Sequence, residues 1–567
     1  VATCAEVITD ELLHLGVRHF FLLTGGDHAL WVNFKRAGIK QILARSEQAA
    51  VYMADAYARV LQEPAFVYGQ YGPGAANVAG SLAEPWWSSS PVVALLSSMR
   101  RQHRHRLEYQ ELDQPPLFAS VTKWQAEVSI PAQIPLVIRA GVLRALAGNP
   151  GPVYLGIPND MTEAPYEGPD PTAARRSPAG PRRFPLHRPA PEPEAVAAAA
   201  RLLMRAARPV ILAGNGVHSS GGYAALLAVA ERLGAPVVTS LSGKGAIPEH
   251  HPLAVGPVGR YSRTYANRTM KHADVLLAVG SRLGGLVTDS YRLIGPECAV
   301  IQVDIDPVAL GHNFPVEVAV LGDARAFLQD LLAVLDSYRE LDRCRDDRER
   351  WMAGVAADKD AWYRKFYDVA GRADTPMRPE ALVHTLQALI PPGAVLLADT
   401  GYAAAWVGAL YEVRNAGKGF IRSDGSLGWA FPAALGAKLA APDRPVVAVT
   451  GDGGFGYNVG ELETAVRLGL PVVVIVLNNQ SLAFEYHLQK LLYGDPVSDV
   501  DNFADVDYAA VARAFGAEGY RARTPAEFGE AFRRALVSDR PSLIDALVDK
   551  DAIAPVTRYD AIRQREL

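Results

Sequence analysis

At 567 residues, with 49% hydrophobic and 21% charged, the chain is too long for one core and too apolar to be disordered, so three or four globular domains are expected. A net charge of −4 with no basic tail or aromatic-basic stripe argues against a nucleic-acid partner, and three scattered cysteines, Cys4, Cys298 and Cys344, exclude a disulfide framework or zinc knot. No run approaches the roughly 20 apolar residues that span a bilayer, and the first residues lack a basic segment ahead of an apolar core, so no membrane partner and a cytoplasmic location are expected.

Residues 6–15 have the spacing of an amphipathic helix, residues 17–23 read as a strand, and Gly25-Gly26-Asp27-His28 is the turn after it. Apolar runs at 39–43, 65–68, 91–97 and 152–155 supply further strands alternating with helices, giving a doubly wound α/β domain over residues 1–165. Residues 166–190 are polar and proline-rich and read as a surface strap. A second α/β unit, residues 190–345, opens on Pro209-Val210-Ile211-Leu212-Ala213-Gly214-Asn215-Gly216 and continues through strands at 236–238, 275–279 and 300–304. A charged helical connector over 339–360 leads to a third unit, residues 370–548, and residues 549–567 form a short charged end, either a tail or a lid.

The third unit carries the chemistry. The apolar run 445–450 ends in Gly451-Asp452-Gly453-Gly454, and the run 471–477 ends in Asn478-Asn479-Gln480-Ser481, which starts 24 residues past Gly454. Residues 461–468 between them have helical spacing, so both segments sit at the carboxyl ends of parallel strands, where open α/β sheets bind ligands. Magnesium prefers a near-octahedral shell of oxygens and combines one or two protein carboxylates with substrate phosphates. Asp452, the Asn479 side chain, a main-chain carbonyl near Ser481 and two diphosphate oxygens nearly complete that shell.

On these segments and the order of the three units, the chain resembles the thiamine-diphosphate-dependent enzymes of the acetolactate synthase and pyruvate oxidase superfamily. Their pyrimidine-binding, central and diphosphate-binding domains follow in this order, and the resemblance covers essentially the whole chain. It implies an α/β fold of three successive Rossmann-like domains with mainly parallel sheets, and thiamine diphosphate with Mg2+ as cofactors. Carried over, Asp452 and Asn479 ligate magnesium through their side chains and Ser481 through its carbonyl, while Gly401, Tyr402, Gly453 and Gly454 lie near the diphosphate. Arg45-Ser46-Glu47-Gln48-Ala49-Ala50 fits the segment whose glutamate hydrogen-bonds the aminopyrimidine. Glu47 is thus the leading catalytic residue, promoting the imino tautomer whose nitrogen removes the thiazolium C2 proton. Gly72-Pro73-Gly74-Ala75-Ala76-Asn77 matches a turn bringing backbone close to the cofactor, with Gly72 and Asn77 as contacts. Gly425-Ser426-Leu427-Gly428-Trp429 matches the stretch in which a glycine carbonyl, here Gly425, accepts the pyrimidine amine and an apolar side chain, here Leu427, wedges between the rings. The family builds its site from two subunits, so a homodimer is the least active assembly and a tetramer is expected.

Substrate choice rests on further positions. Tyr109-Gln110-Glu111 resembles the segment whose glutamine lines the pocket, making Gln110 a donor to an oxyanion, and His28 after the first-strand turn is a candidate proton relay facing the thiazolium. Acetolactate synthases usually follow the Asn pair with a glycine and a methionine-tryptophan-rich pocket; this chain has Leu482-Ala483-Phe484-Glu485-Tyr486-His487. A carboxylate at Glu485 beside the reactive carbon would repel a 2-oxo acid and suits deprotonating the hydroxyl of an uncharged group. The leading expectation is therefore a 2-hydroxyacyl-CoA lyase, releasing formyl-CoA and an aldehyde or ketone from an acyl-CoA, reversibly. The alternative is an acetolactate synthase or related 2-oxo-acid carboligase or decarboxylase. In the central unit, Gly214, Asp304 and Asp306 resemble places where relatives hold FAD or the ADP portion of an activator or CoA, and Arg260 and Arg282 are candidate phosphate contacts. Ser281-Arg282-Leu283-Gly284-Gly285 stands where flavin-bearing relatives have Arg-Phe-Asp-Asp-Arg, which weighs against FAD and leaves ADP or CoA open.

Overall fold

Short apolar runs bounded by glycine and proline become parallel strands in the computed structural model, which describes residues 2–170, 183–337, 344–495 and 498–558. Parallel strands covered on both faces are apolar throughout, and β4, β6, β16 and β18 below are buried along their whole length. The first sheet comprises β1 (His19–Leu22), β2 (Lys40–Leu43), β3 (Ala65–Tyr68), β4 (Val92–Ser98), β5 (Gln125–Glu127) and β6 (Val153–Pro158), in the order β2-β1-β3-β4-β6-β5. The second comprises β7 (Pro209–Ala213), β8 (Val237–Thr239), β9 (Ala254–Pro257), β10 (Val275–Val279), β11 (Ala299–Asp304) and β12 (Val318–Leu321), ordered β12-β11-β10-β7-β8-β9. The third comprises β13 (Val395–Ala398), β14 (Phe420–Arg422), β15 (Val446–Gly451), β16 (Val473–Asn478), β17 (Glu518–Ala522) and β18 (Ser542–Leu547), ordered β14-β13-β15-β16-β18-β17. The first and third sheets thus repeat one strand order, a relationship the sequence reading did not detect.

Strand order reverses between β1 and β3, between β7 and β10, and between β13 and β15. Such switch points open a crevice beyond the carboxyl ends of the strands, the default ligand position in open α/β sheets.

The first helix, Cys4–His14, starts at a capping box between Thr3 and Glu6 and covers the predicted amphipathic segment. The connector helix, Arg345–Ala370, runs ten residues beyond its predicted end. Its last turns carry Trp362 and Phe366, one helical turn apart and stacked at 6.0 Å, and Phe366 is buried in the core around the third sheet. Of the proline-rich strap, residues 171–182 lie outside the described residues, as do residues 559–567 of the C-terminal end. Before them, Ala552, Ala554 and Val556 are buried, Thr557 N–H donates to Arg260 O at 3.1 Å, and the Thr557 hydroxyl donates to Asp289 Oδ1 at 2.7 Å. This stretch is packed structure, not a solvated tail.

The chain divides into two compact units. The first holds the N-terminal domain to His187 together with Ser423–Asp443 and Asn458–Leu470. Within it, helix Ala430–Ala440 packs on helix Glu47–Leu61 so closely that a Cβ at Gly436 would stand 2.0 Å from Met53 O. Trp429 is fully buried beside this contact, and its indole N–H donates to Asp55 Oδ2 at 2.9 Å.

The second unit holds the central domain and the rest of the third. It contains a fully buried ionic cluster: Lys244 Nζ lies 2.8 and 2.6 Å from the two Glu249 oxygens, and Arg263 Nη2 lies 3.6 Å from Glu249 Oε2. The cluster fastens the end of helix Tyr402–Leu410, because Arg263 Nε donates to Ala409 O at 2.7 Å and Glu249 Oε2 accepts from Val413 N–H at 2.9 Å. Burial alone would raise the Glu249 carboxyl; Lys244 and Arg263 outweigh it and hold the group below the usual carboxylate range.

Candidate functional site

The switch point of the third sheet gathers the diphosphate candidates. After β13 the chain passes through Asp399 and Thr400 to Gly401, whose φ of +83° opens helix Tyr402–Leu410 and requires glycine. After β15 it enters helix Asp452–Tyr457 directly. A Cβ at Gly454 would stand 2.8 Å from Thr450 Oγ1 and 3.1 Å from Asp399 Oδ2, so only glycine permits this approach. Asp399 is fully buried, and its carboxylate accepts from Thr400 N–H and from the Thr450 hydroxyl, both at 2.8 Å. It braces both arms of the crevice and was not singled out from sequence.

Asp452 is buried. Its Oδ1 accepts from Gly453 N–H at 2.9 Å, while Oδ2 is buried without a hydrogen bond of good geometry. Burial pushes the carboxyl up to about 6, and the nearby N–H groups of Gly453 and of Asn479, Gln480 and Ser481 only partly offset that. The two segments singled out from sequence therefore face one another. Asn479 Oδ1 accepts from Ser481 N–H at 3.2 Å. Asn478, by contrast, donates to Asp545 Oδ1 at 2.9 Å and to Val506 O at 3.2 Å, a bond network that holds β16 to β18. A buried carboxylate oxygen without a well-aligned partner, facing the segment that carries the Asn479 amide, suits a hard cation, which would supply the missing charge. Among the described residues no three His, Cys, Asp or Glu side chains converge as a metal site, so a cation here needs amide, carbonyl and ligand oxygens as well.

Helix Ala483–Tyr493 follows, and its 3.6-residue period decides which side chains face inward. Ala483 and His487, four residues apart, are buried; Glu485, two residues from His487, is exposed. The Tyr402 hydroxyl lies 2.5 Å from His487 Nδ1 with the rings stacked, and Phe484 meets Tyr402 and Tyr261 edge-on. Glu485 thus stands in solvent, where screening weakens its repulsion of an anionic substrate. This removes the physical basis for preferring an uncharged substrate. The inward position of His487 was legible from the helical period but was passed over for the charged neighbour.

The first sheet's switch point gathers the pyrimidine candidates. Glu47 opens helix Glu47–Leu61 after the cap residue Ser46, and is 8% exposed. Asn77 Nδ2 donates to Glu47 Oε2 at 3.1 Å, and a Cβ at Gly74 would lie 3.0 Å from Glu47 Oε1. Arg45 N–H, two residues earlier, donates to Glu461 Oε1 at 2.8 Å, which fixes the entry to this helix. Gly72, at φ +75°, would drive a Cβ to 2.2 Å from Gln110 O. Gln70 Nε2 donates to Gln110 Oε1 at 3.2 Å, so Gln110 lies across the same turn. Glu47, Asn77, Gly72 and Gln110 are therefore brought together. His28 is exposed at the start of helix His28–Ala37. Its neighbour Asp27, not singled out, is buried and accepts from the Tyr68 hydroxyl at 2.7 Å, Asn159 Nδ2 at 2.9 Å and the Thr162 hydroxyl at 3.1 Å. Gly425 is exposed and Leu427 half-buried, and Asn458 Nδ2 donates to Gly428 O at 2.8 Å just beyond them.

At the central switch point, Gly214 and Gly280 touch through their backbones: a Cβ at Gly214 would stand 2.1 Å from Gly280 O. Asp304 Oδ1 accepts from Asp306 N–H and Asp306 Oδ1 from Val308 N–H, each at 3.0 Å, so both carboxylates close local turns. Arg260 Nη2 donates to the Ser290 hydroxyl at 3.2 Å, and Arg282 is exposed.

Three parallel α/β domains, with a cation-suited acid and a helix-borne glutamate at two switch points, define a class of cofactor-dependent α/β enzyme. Residues 2–117 match the thiamine pyrophosphate enzyme N-terminal TPP binding domain, residues 196–331 the central domain and residues 399–546 the C-terminal TPP binding domain. The chain belongs to the thiamine pyrophosphate enzyme family, within the acetolactate synthase and pyruvate oxidase superfamily, and its cofactors are thiamine diphosphate and Mg2+. It is similar to a probable acetolactate synthase large subunit of Methanocaldococcus jannaschii, at 32% identity over 97% of this chain and 93% of that protein. It is also similar to the acetolactate synthase isozyme 3 large subunit of Escherichia coli (30%, over 96% and 94%) and to a sulfoacetaldehyde acetyltransferase of Rhodobacter capsulatus (32%, over 93% and 90%). It is a carbon-carbon lyase or ligase of the acetolactate-synthase-like type acting on a small molecule. Among the described residues no helix is long and apolar enough to cross a membrane.

Proposed function

We propose that this enzyme is a 2-oxo-acid carboligase of the acetolactate-synthase type, taking an acyl fragment from a small 2-oxo acid and joining it to an acceptor. The observation that carries this reading is the solvent exposure of Glu485, the one residue that argued for a 2-hydroxyacyl-CoA, and the names of the full-length relatives support it. Bound thiamine diphosphate supplies a nucleophilic carbon and an electron sink. The chain's task is to bind, orient and move protons.

In this reading Asp452, Asn479 and the Ser481 carbonyl hold Mg2+, and the backbone at Gly401, Tyr402, Gly453 and Gly454 cradles the diphosphate. The Glu47 carboxyl would hold and exchange a proton at the aminopyrimidine ring nitrogen, and the Gly425 carbonyl, beside Leu427, would accept from the ring's amine. Gln110 Nε2 donates to a substrate oxygen, and the Tyr402–His487 pair lines the acyl pocket. The assembly is a homodimer or tetramer completing its sites between subunits, supported by Leu107 and Tyr109, 98% and 76% exposed beside Gln110.

A mass-spectrometric end-point assay tests the substrate assignment. Incubation of cofactor-loaded enzyme with pyruvate, alone and with a second carbonyl acceptor, is expected to give the carboligation product with loss of carbon dioxide. A parallel panel of short 2-hydroxyacyl-CoA esters is expected to stay intact; formyl-CoA from that panel, with pyruvate untouched, would reverse the assignment.

The metal site has its own pH signature. A carboxylate must be deprotonated to bind a cation, and burial raises the Asp452 carboxyl to about 6. Mg2+ binding is therefore unhindered above that value, and the apparent affinity falls by about tenfold per pH unit below it. The sign for the metal-free chain is opposite: the protonated acid favours the folded state, and this contribution is lost as pH rises through about 6. Calorimetric Mg2+ titrations between pH 5 and 8, on wild type and on Asp452→Asn, check the first, and urea unfolding of the metal-free protein over the same range checks the second; a flat Mg2+ profile in wild type would remove Asp452 from the site.

A further inference from the structure

We propose that Glu84 is a positioning residue for the cofactor's pyrimidine ring, setting the direction of the Gly425 carbonyl through the peptide plane it grips. Glu84 lies on the short helix Ala83–Trp87 and is 1% exposed. Its Oε1 accepts from Asp424 N–H at 2.5 Å and its Oε2 from Ser426 N–H at 3.0 Å, so one carboxylate holds the residues on both sides of Gly425. The Ser423 hydroxyl lies 3.1 Å from Glu84 Oε2 and 2.8 Å from Ser426 O, and itself accepts from Gly425 N–H at 3.3 Å.

The Gly425 carbonyl and the Ser426 N–H belong to one planar trans peptide, so they point in opposite directions. An N–H held toward a buried carboxylate therefore turns the Gly425 carbonyl away from it, and Gly425 is itself exposed while Glu84 is not. The grip needs two acceptor oxygens, which a carboxylate has and an amide lacks; burial and the neighbouring Asp424 and Asp55 push the group up to about 7, and the Asp424 N–H and Arg59 oppose that rise. It also needs anchoring. Arg59 Nη1 lies 4.0 Å from Glu84 Oε1, Arg59 Nη2 lies 3.8 Å from Asp424 Oδ2, and the guanidinium stacks over the Trp429 ring at 5.3 Å. A buried acid at this position is costly unless it is used in this way.

This inference rests on the assignment of Gly425 as acceptor for the pyrimidine amine, and the test separates the two. Full-length enzyme with Mg2+ is titrated calorimetrically with thiamine diphosphate and with its analogue lacking the pyrimidine amine. Wild type is expected to prefer the amine-bearing ligand by roughly three- to tenfold, the worth of one buried hydrogen bond. In Glu84→Ala that preference should vanish, while the affinity for inorganic diphosphate with Mg2+ stays within about twofold of wild type. Glu84→Gln keeps the shape but turns an N–H toward a peptide N–H, so it should lose the preference with less risk to folding. A loop tie with no bearing on the carbonyl would lower both ligand affinities equally and keep their ratio. An unchanged ratio in either folded variant overturns the role of Glu84. No preference in wild type overturns the Gly425 assignment, and the inference with it.

Discussion

Replacing Glu47 by glutamine is expected to lower turnover by roughly 10²- to 10⁴-fold, the range removed with a general acid-base group, while thiamine diphosphate affinity stays within a few-fold of wild type. The variant is nearly isosteric, so the backbone entering helix Glu47–Leu61 keeps its Ser46 cap and its Glu461 tether. Its amide oxygen can still accept from Asn77, whose bond to Oε2 is 3.1 Å in the native chain. Only the capacity to give up and recover a proton is lost. The absent side chain at Gly74 leaves room for glutamine as it does for glutamate, since the constraint there is the 3.0 Å approach of Oε1. Steady-state turnover measured beside a direct cofactor titration checks this. Native turnover in the variant would show that Glu47 only braces Asn77, and a parallel loss of cofactor binding would make its role one of binding instead of proton transfer.

The second large effect is on stability. Glu249→Leu is expected to cost the second unit about 3–5 kcal/mol, because it strands two fully buried cations, Lys244 and Arg263, without their shared carboxylate. It also removes the acceptor for Val413 N–H. The diagnostic is the pairing: Lys244→Met in the Glu249→Leu background should recover part of the loss, because it removes one of the uncompensated charges. Urea unfolding midpoints of the single and double variants measure this coupling. Additive losses would show that the cluster acts by packing alone. Activity per folded molecule should be unchanged, since none of these groups lies among the candidate site residues.

Much of the candidate site was legible because it sits where strands end. A buried parallel strand is an uninterrupted apolar run, so its carboxyl end is visible as the first polar residue, and Asp452 and Asn479 both occur within two residues of such an end. Glu47 was legible through its local segment and sits at the first position of a capped helix. Other positions were misread or unread. Glu485 was read as a carboxylate beside the reactive carbon, yet the helical period turns it outward and His487 inward. Glu84 lies 340 residues from Asp424, and in the buried ionic cluster Arg263 and Glu249 reach Ala409 and Val413, 146 and 164 residues away. Separations of that size leave no periodic or motif signal.

The amino-acid sequence by itself determined the class of structure, three parallel α/β domains in series, and the residues at the strand ends that suit a diphosphate and a hard cation. These follow from local rules: the burial of apolar runs, the backbone freedom of glycine at Gly401 and Gly72, and the chemistry of carboxylate and amide oxygens. Only the tertiary structure decided which strands are neighbours, and hence that Gly401 and Asp452 flank one crevice while the first sheet repeats the same strand order. It alone decided which carboxylates are dry. Glu84 and Glu249 are buried and committed to partners, whereas Glu485 stands in water. The physical reason is that burial of a charge is a property of everything packed around it, and the chain brings those neighbours from hundreds of residues away.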